Sequence, residues 1–337
     1  MRQEAPWVLV AGGAGYIGSH VVKQLILAGY RVVVYDNLST GFACAVPGAE
    51  LVVADLSDRN RLDEVLLRRR FAAVLHFAAS IWVGESVREP ARYYRNNVAN
   101  ALNLFEAAAA GGVGAVVFSS TAAVYGEPEV ELIDEAMPLA PINPYGASKM
   151  MAERMLQDVA AAAGMRTLIL RYFNVAGAAL DGSIGEATPN NSHLVKVACE
   201  TAMGLRPGMQ INGTDYPTPD GTCVRDYIHV QDLADAHVAA LDHLLAGGGA
   251  DAILNCGYGH GLSVREVLEA VRRISGVRFE ISEGPRRAGD PPRLVAANRR
   301  IQDVLAWRPR YDDLDLIVGT AWRFEQKLQA AGRASPA

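Results

Sequence analysis

The sequence has few cysteines, no long apolar run and no excess of positive charge. Its four cysteines, at positions 44, 199, 223 and 256, form no Cys-x-x-Cys pair, so their spacing predicts neither a metal site nor a disulfide framework. No apolar run approaches the roughly 20 residues that cross a membrane, and residues 1–6 are not typical of a secretory signal. A formal net charge of −5 argues against a general nucleic-acid binder. We therefore expect a cytoplasmic protein without a metal, nucleic-acid or membrane partner.

Half of the 337 residues are hydrophobic, which is ample for a buried core. Short apolar runs alternate with helical patterns along the first half of the chain. The strand-like runs are Val8–Ala11, Arg31–Tyr35, Leu51–Val53, Val74–Phe77, Ala115–Ser119 and Thr167–Tyr172, and the helical patterns are Ile17–Ala28, Asp58–Arg70, Arg92–Ala110 and Gly146–Ala163. Strands that are apolar throughout are typical of a parallel sheet covered on both faces. The sequence therefore predicts an α/β fold with a doubly wound parallel sheet of the Rossmann type.

The composition and the pattern of the sequence change after residue 178. Loops dense in Gly and Pro follow at 204–221 and 284–292, and a helical pattern over Val230–Leu245 separates them. His237 lies on the apolar face of that pattern, where a core role is favoured over a ligand role. Ser263 and Glu266 have the spacing of a capping box, which begins a further helix.

These patterns predict two domains. We expect an N-terminal dinucleotide-binding domain over residues 1–178 and a smaller α/β substrate domain over 179–330, with part of 224–256 returning to the first domain. Residues 331–337 are expected to form a frayed tail. The cleft between the two domains is the natural place for a ligand.

The first motif is a glycine-rich turn between the first strand and the first helix. Gly12 permits the tight turn, Gly15 lets a pyrophosphate approach the backbone, and Gly18 allows close packing of the helix. The helix N-terminus then offers free N–H groups to the phosphates. A tight turn with no ligand is the simpler alternative.

Acidic residues at the ends of the second and third strands sharpen this prediction. Asp36 follows the glycines by about 20 residues, where a carboxylate accepts hydrogen bonds from a ribose 2′-hydroxyl and repels a 2′-phosphate. NAD is therefore preferred over NADP. Asp55 is placed to contact the adenine in the same way, although both acids are also ordinary turn residues.

The second motif is a Tyr-x-x-x-Lys pair. Tyr145 and Lys149 are four residues apart, so they share one face of a helix. An ammonium near a phenol lowers the pKa of the phenol from about 10 toward neutrality, so that the phenolate can take a proton from a hydroxyl. Taken alone, such a pair is more often part of a solvated helix face.

A hydroxyl-rich strand end completes the set of motifs. Ser119, Ser120 and Thr121 end the fifth strand, and ligands of doubly wound sheets lie beyond the carboxyl ends of the strands. A hydroxyl there can hold a substrate oxygen, although a simple Ser/Thr turn is the alternative. Ala122 and Ala123 follow, so no carboxylate stands beside Thr121 in the sequence.

Together these motifs resemble the extended short-chain dehydrogenase/reductase family, and further blocks narrow the resemblance to the UDP-glucose 4-epimerase family. The matching blocks are residues 83–87, 93–98, 171–174, 215–218, 224–229 and 285–290. The resemblance extends from about residue 7 to 325. Family members often have a lysine where Ile81 stands and an aspartate where Ala297 stands, so two family contacts are absent from this sequence.

The resemblance implies a role for each matching position. Tyr145 would be the acid/base, Lys149 would bind the nicotinamide ribose and tune Tyr145, and Thr121 would hold the sugar hydroxyl. The implied NAD-binding residues are Gly12, Gly15, Tyr16, Ile17, Gly18, Asp36, Asn37, Asp55, Leu56, Phe77, Ala78, Ala79, Asn96, Ser119, Tyr145, Lys149 and Tyr172. The implied UDP-sugar residues are Thr121, Asn174, Asn191, Arg225, Tyr227, Arg287 and Asp290. A diphosphate suits the guanidinium forks of Arg225 and Arg287, although each alone would fit a surface ion pair.

The resemblance predicts an NAD-dependent enzyme that interconverts UDP-glucose and UDP-galactose through a transient 4-keto sugar and bound NADH. It further implies a homodimer that meets through the helices near Arg92–Ala110 and Gly146–Ala163. An epimerase of another UDP-sugar (UDP-GlcNAc/UDP-GalNAc, a UDP-pentose or a UDP-uronate) is the main alternative. A 4,6-dehydratase or a decarboxylase is disfavoured, because each has an acidic residue where Ala122–Ala123 follows Thr121. A non-catalytic NAD sensor is disfavoured by the intact Tyr145 and Lys149.

Overall fold

The computed structural model describes residues 5–189, 191–249, 252–287 and 289–332. The strands are β1 Trp7–Ala11, β2 Arg31–Asp36, β3 Glu50–Val53, β4 Phe71–His76, β5 Ala115–Thr121, β6 Arg166–Tyr172, β7 Asn174–Ala176, β8 Met209–Asn212, β9 Val224–Arg225, β10 Tyr227–His229, β11 Ala252–Cys256, β12 Leu262–Ser263, β13 Ile281–Gly284 and β14 Arg293–Leu294. The helices are α1 Tyr16–Leu27, α2 Arg59–Leu67, α3 Val83–Arg88, α4 Pro90–Tyr94, α5 Asn100–Ala110, α6 Pro144–Ala163, α7 Leu194–Ala202, α8 Val230–Leu245, α9 Val264–Ser275, α10 Arg299–Leu305 and α11 Leu314–Ala330. Residues Ala43–Ala45 and Ala122–Tyr125 form 3₁₀ turns, and Arg95–Ala99 forms a π-helical turn.

A seven-stranded parallel sheet in the order β11-β6-β5-β4-β1-β2-β3 forms the centre of the fold. The apolar runs of the sequence account for it, because β5 is buried along its whole length and β1, β2 and β4 along most of theirs. The predicted doubly wound α/β fold is confirmed. The strand order reverses between β1 and β4, which opens a crevice at the carboxyl ends of the strands.

Helices cover both faces of the sheet. On one face α1 and α8 pack against it, with Leu25 and Leu233 among the buried side chains. On the other face lie α2, α5 and α6, with Leu62, Leu104 and Leu156 in the second cluster. Among the described residues, no helix is both long enough and apolar enough to cross a membrane.

Smaller sheets build the rest of the chain. β8 pairs with β13, β7 pairs with β10, and β9 lies between β12 and β14. β11 pairs in parallel with β6, so the chain returns to the main sheet after α8. The domain boundary at residue 178 stays a prediction. Within the predicted tail, residues 333–337 lie outside the described residues.

Local signals located several helix ends well. The predicted helix Val230–Leu245 is confirmed, and the capping box is present: Glu266 N donates to Ser263 Oγ at 3.1 Å, and Ser263 N donates to Glu266 Oε2 at 2.6 Å. The single helix expected over Arg92–Ala110 is instead divided, because a π-helical turn separates α4 from α5. Part of the expected loop 204–221 is strand β8, which β13 stabilises by pairing.

Candidate active site

A cavity of about 640 Å³ opens at the carboxyl ends of β5 and β6, between the main sheet and the C-terminal part of the chain. It brings together residues from near the start of the chain, such as Tyr16, and residues from near its end, such as Asp290. The predicted site residues on its wall are Tyr16, Ile17, Thr121, Tyr145, Tyr172, Asn174, Asn191, Arg225, Tyr227, Arg287 and Asp290. Both the implied acid/base and the implied substrate residues therefore face one space.

The glycine-rich turn has the geometry that a dinucleotide site needs. Gly12 has a φ of +78°, and a Cβ on it would lie 2.3 Å from Ala78 N. A Cβ on Gly18 would lie 2.3 Å from the carbonyl oxygen of Gly12, so both positions require glycine for internal reasons. A Cβ on Gly15 would meet only Gly12 O, at an ordinary 3.5 Å. Protein packing does not demand glycine at Gly15, so close approach of a ligand remains its physical reason.

The acidic strand ends meet beside this turn. Ala14 N donates to Asp36 Oδ2 at 2.9 Å and Leu38 N donates to Asp36 Oδ1 at 2.8 Å, so this buried carboxylate supports the glycine-rich turn. Burial raises the pKa of Asp36, and the two backbone hydrogen bonds oppose that rise. Asn37 Nδ2 donates to Asp55 Oδ2 at 2.6 Å. Each carboxylate keeps lone pairs for ribose or adenine groups.

The residues after β4 approach the same turn. Phe77 N and Ala78 N donate to Ala11 O at 2.7 and 3.1 Å, which holds the segment Phe77–Ala79 against the first strand. Asn96, on the π-helical turn, donates from Nδ2 to Ser80 Oγ at 3.1 Å. Leu56 is buried near the end of β3. The NAD contacts of these residues stay predictions, and the structure brings all of them to one edge of the sheet.

Helix α6 carries Tyr145 and Lys149 toward the end of β5. The helix begins at Pro144, two residues before the predicted Gly146, because Asn143 Oδ1 accepts from Gly146 N at 2.9 Å and Pro144 occupies the first turn. Lys149 is buried, and its Nζ donates to Ser119 O at 2.8 Å and lies 4.9 Å from the centre of the Phe118 ring. Burial lowers the pKa of Lys149 to about 8, and the negative charge of Glu153 opposes that shift.

The pKa of Tyr145 differs from the sequence-based expectation. Burial raises it above 10, and a hydrogen bond with Thr121 lowers it by less. The expectation of a lowered pKa considered only the nearby ammonium and neglected the desolvation of a phenolate at the cavity wall. The ammonium of Lys149 donates instead to the Ser119 carbonyl oxygen.

A buried ion pair fastens α6 to β5 and β6. Arg171 Nη2 donates to Glu153 Oε2 at 2.6 Å and Arg171 Nε donates to Glu153 Oε1 at 3.0 Å, and both side chains are 3% exposed. Ser120 Oγ also donates to Glu153 Oε1. Glu153 is four residues beyond Lys149, Ser120 precedes Thr121 and Arg171 precedes Tyr172, so this network positions the elements that carry the implied site.

The implied diphosphate residues line the same cavity. Arg225 is buried, donates from Nη1 to Val224 O at 2.8 Å and forms an ion pair with Asp290. Arg287 is exposed at the rim and, among the described residues, has no ion-pair partner. Its neighbour Arg286 instead pairs with Asp215 and lies over the Tyr216 ring, outside the cavity wall. The predicted pair of guanidinium groups therefore borders one cavity.

The sequence predicted Asn191 as a site residue but not its cavity-wall partners Glu186 and His193. Glu186 Oε1 accepts from Asn191 Nδ2 and lies 2.5 Å from His193 Nδ1, and His193 N donates to Asn191 Oδ1 at 2.7 Å. Burial lowers the pKa of His193, but the charge of Glu186 outweighs it and holds that pKa above its usual value. No spacing rule predicts this contact, because the three residues lie in a loop.

Comparisons with known proteins agree over nearly the whole chain. Residues 8–257 match the NAD dependent epimerase/dehydratase family. The chain is 55% identical to the UDP-glucose 4-epimerase of Azospirillum brasilense over 332 residues, 98% of this chain and 95% of that protein. The crystal structure of UDP-glucose 4-epimerase from Brucella ovis in complex with NAD is similar, with a TM-score of 0.92 and 47% identity over 95% of this chain and 98% of that one. A third similar structure, with a TM-score of 0.92 and 38% identity over 96% of this chain and 99% of that one, is the Stenotrophomonas maltophila UDP-glucose-4-epimerase with bound NAD and formylated UDP-arabinopyranose.

Proposed function

This chain belongs to the NAD-dependent epimerase/dehydratase family, and we propose that it interconverts UDP-glucose and UDP-galactose by inverting the sugar at C4. The observation that carries the proposal is the single cavity in which Tyr145 and Thr121 face Arg225 and Arg287. A proton-transfer group and a diphosphate-binding pair are the two parts that this reaction requires. The identity to UDP-glucose 4-epimerases over nearly full length supports the same activity.

The glycine turn, the acidic strand ends and the residues after β4 fit a dinucleotide. We place the adenosine beside Asp36 and Asp55, the pyrophosphate at Gly15 and the nicotinamide half beside Ser119, Lys149 and Tyr172. Bound NAD supplies a reversible acceptor of hydride from C4, which makes the overall reaction redox-neutral.

The protein's part of the chemistry is proton transfer at the 4-hydroxyl. In our proposal Tyr145 takes the proton of that hydroxyl and later returns it, while Thr121 holds the oxygen in place. Burial raises the pKa of Tyr145. In our proposal the positive charge of Lys149, one helical turn away, favours the phenolate against that rise.

The nucleotide holds the sugar while its reacting face changes. Inversion requires that the 4-keto sugar presents both faces in turn, so the sugar must rotate while the UDP remains bound. Arg225 and Arg287 would bind the diphosphate, and remote binding energy of this kind keeps the sugar in reach without fixing its orientation. A cavity of about 640 Å³ leaves space for that rotation.

The cavity wall also bears on the alternatives. Ala122 and Ala123 lie on it beside Thr121, so this position offers no carboxylic acid for the removal of water, which disfavours a 4,6-dehydratase. Leu294 also lines the cavity, at the position that the family resemblance assigns to acceptance of N-acetylated sugars. Leucine is neither the bulky Tyr nor the small Cys or Ser that would decide for or against a UDP-GlcNAc/UDP-GalNAc epimerase.

We further propose a cytoplasmic homodimer that serves galactose metabolism. Exposed apolar side chains Val87, Tyr94 and Met151 lie on α3, α4 and α6, three elements that pack together near the expected dimer helices. Such side chains suit an interface between two copies of the chain. The four cysteines are free thiols, which suits a reducing compartment.

The test is to purify the protein, measure its bound NAD and incubate it with UDP-galactose without any added oxidant. We expect bound NAD and conversion to UDP-glucose, with little conversion by the Tyr145→Phe variant. Parallel incubation with UDP-GalNAc decides the N-acetylated alternative, and a 4-keto-6-deoxy product would indicate a dehydratase. Bound NAD without interconversion of either hexose would overturn the proposal.

A further inference from the structure

His237 joins the three strand ends that carry the proposed nicotinamide site. Helix α8 places this fully buried imidazole 2.9 Å from Ser119 Oγ, measured from Nε2. Its ring centre lies 4.8 Å from that of Phe77, after β4, and 6.1 Å from that of Tyr172, at the end of β6. The imidazole therefore lies directly behind residues to which we assigned NAD contacts.

The hydrogen bonds of His237 fix its tautomer. Nδ1 lies 2.8 Å from the Leu233 carbonyl oxygen, which can only accept, so Nδ1 carries a proton. Burial lowers the pKa of His237 to about 4, so the ring is neutral at pH 7 and Nε2 carries no proton. Nε2 must accept, and the Ser119 hydroxyl must donate to it. Burial raises the pKa of Tyr172 and an interaction with the Ser119 side chain opposes that rise, so the lone pairs of Ser119 Oγ are left for Tyr172.

The paired state of His237 argues against a role in packing alone. Among the described residues, His20, His76 and His243 each leave one ring nitrogen without a hydrogen-bond partner, whereas both nitrogens of His237 are paired. Its helical neighbours toward the sheet are apolar, such as Leu233 and Leu241. A leucine would fill the same helix face without the cost of burying polar nitrogens.

We propose that His237 is a positioning residue of the NAD site, which it serves by holding the Ser119 hydroxyl in one orientation between itself and Tyr172. The same Ser119 accepts the Lys149 ammonium on its carbonyl oxygen, so one residue connects the imidazole, Tyr172 and Lys149. This inference rests on the proposed placement of the nicotinamide half beside these residues. His237 touches neither sugar nor nicotinamide in this assignment and acts through Ser119.

The test compares NAD binding in four variants with the wild type. His237→Leu removes the acceptor, His237→Gln keeps a side-chain acceptor oxygen, and Ser119→Ala removes the hydroxyl that His237 holds. We expect the dissociation constant of NAD to rise about tenfold in His237→Leu and in Ser119→Ala, the effect of losing or misdirecting a buried hydrogen bond. The double variant His237→Leu/Ser119→Ala should have the same NAD dissociation constant as Ser119→Ala alone. His237→Gln should recover most of the NAD affinity that His237→Leu loses.

His243→Leu, on the same helix but outside the site, is the matched control and should retain wild-type NAD affinity. Multiplicative effects in the double variant, or unchanged NAD affinity in His237→Leu, would overturn the inference. If His237→Leu does not fold, nitrogen-15 NMR of wild-type His237 decides: a neutral ring with its proton on Nδ1 at pH 7 is expected, and the other tautomer overturns the proposal. A wild type that binds no NAD would instead contradict the proposed function.

Discussion

Lys149 is a cation that the fold keeps almost out of contact with solvent, at 3% exposure. Its ammonium donates to the Ser119 carbonyl oxygen, and burial lowers its pKa to about 8. Burying an ammonium disfavours folding, so a side chain of this kind is retained for its chemistry rather than for stability. Tyr145, one turn before it on α6, is the group that this charge would serve in the proposed mechanism.

Removal of the Tyr145 hydroxyl or of the Lys149 ammonium should reduce turnover, and the pH dependence of turnover should distinguish the two variants. Tyr145→Phe should lose at least about two orders of magnitude in turnover while still binding NAD, because general acid–base catalysis contributes roughly 10²–10⁴-fold. Lys149→Met should lose a comparable amount, because without the ammonium the buried phenol rarely ionises. Turnover measured from pH 6 to 9.5 should rise with pH in Lys149→Met and stay low in Tyr145→Phe. Near wild-type turnover of Tyr145→Phe at neutral pH would remove Tyr145 from the mechanism.

In the absence of NAD, burial of Lys149 should also make the stability of the protein depend on pH. Its pKa is about 8 in the folded chain against an ordinary 10.5, so between these values the unfolded chain binds more protons than the folded one. This group's contribution to the free energy of unfolding therefore rises with pH across that window. The Tm difference between Lys149→Met and the wild type should shift in favour of the wild type from pH 7.5 to 10. A constant difference would contradict the buried charge.

Arg287 should affect substrate binding more than the chemical step. Lysine keeps the charge but not the bidentate fork, so Arg287→Lys should raise the KM for UDP-galactose several-fold and change kcat less. Arg286→Lys is the matched control, because Arg286 pairs with Asp215 away from the cavity wall. Equal effects of the two substitutions on KM would argue against a diphosphate role for Arg287.

Helix α6 is the element that organises the site. Tyr145, Lys149 and Glu153 recur every four residues along one face, so a single helix presents the phenol, the ammonium and the carboxylate that anchors β6 through Arg171. The cap at Asn143 determines where the helix starts and thus where Tyr145 lies. The fold therefore couples the position of the proposed acid/base to the stability of one helix.

Breaking the buried ion pair should be costly. Glu153→Gln leaves the Arg171 charge buried without its carboxylate, which should lower the free energy of unfolding by about 3–5 kcal/mol. Denaturant unfolding in the absence of NAD measures this loss. Asp158→Asn, which removes an exposed ion pair with Arg154 on the same helix, is the control and should leave the unfolding midpoint nearly unchanged. Similar midpoints for both variants would contradict the anchoring role of Glu153.

The whole molecule has two differently covered sheet faces. α1 and α8 cover one face together with the C-terminal elements, whereas α2, α5 and α6 cover the other. The exposed Met151 lies on the second face, where the expected dimer helices are. A second copy of the chain would cover this side without obstructing the cavity wall formed by β7–β10 and the loop 284–292.

A charge on the sheet face covered by α2, α5 and α6 should dissociate the proposed dimer. Met151→Glu places a carboxylate where the two copies would meet, so light scattering should report monomers for this variant and dimers for the wild type. Leu27→Glu is the control, because Leu27 is also apolar and is more exposed than Met151, but lies on α1, on the opposite face. A monomeric wild type, or two variants that both remain dimeric, would exclude the predicted interface.

The sequence by itself determined the features that depend on short spacings. Fully apolar runs predicted a parallel sheet buried on both faces, the Gly12–Gly18 turn predicted the dinucleotide site, and the spacing of Tyr145 and Lys149 predicted a shared helix face. Ser263 and Glu266 predicted a helix start for the same reason, since a capping box is satisfied within four residues. These predictions hold in the folded protein because the local contacts behind them remain when tertiary contacts form.

Only the tertiary structure decided the contacts between distant residues and the environments they create. Ser119 meets His237 118 positions further along, and β11 returns to the sheet beside β6 after α8. The pKa of Tyr145 rises rather than falls, because desolvation depends on everything packed around the phenol and not on Lys149 alone. Pairings and burial of this kind have no short sequence period, so the helix position of His237 predicted a core or satisfied histidine, as found, but not that Ser119 is its partner.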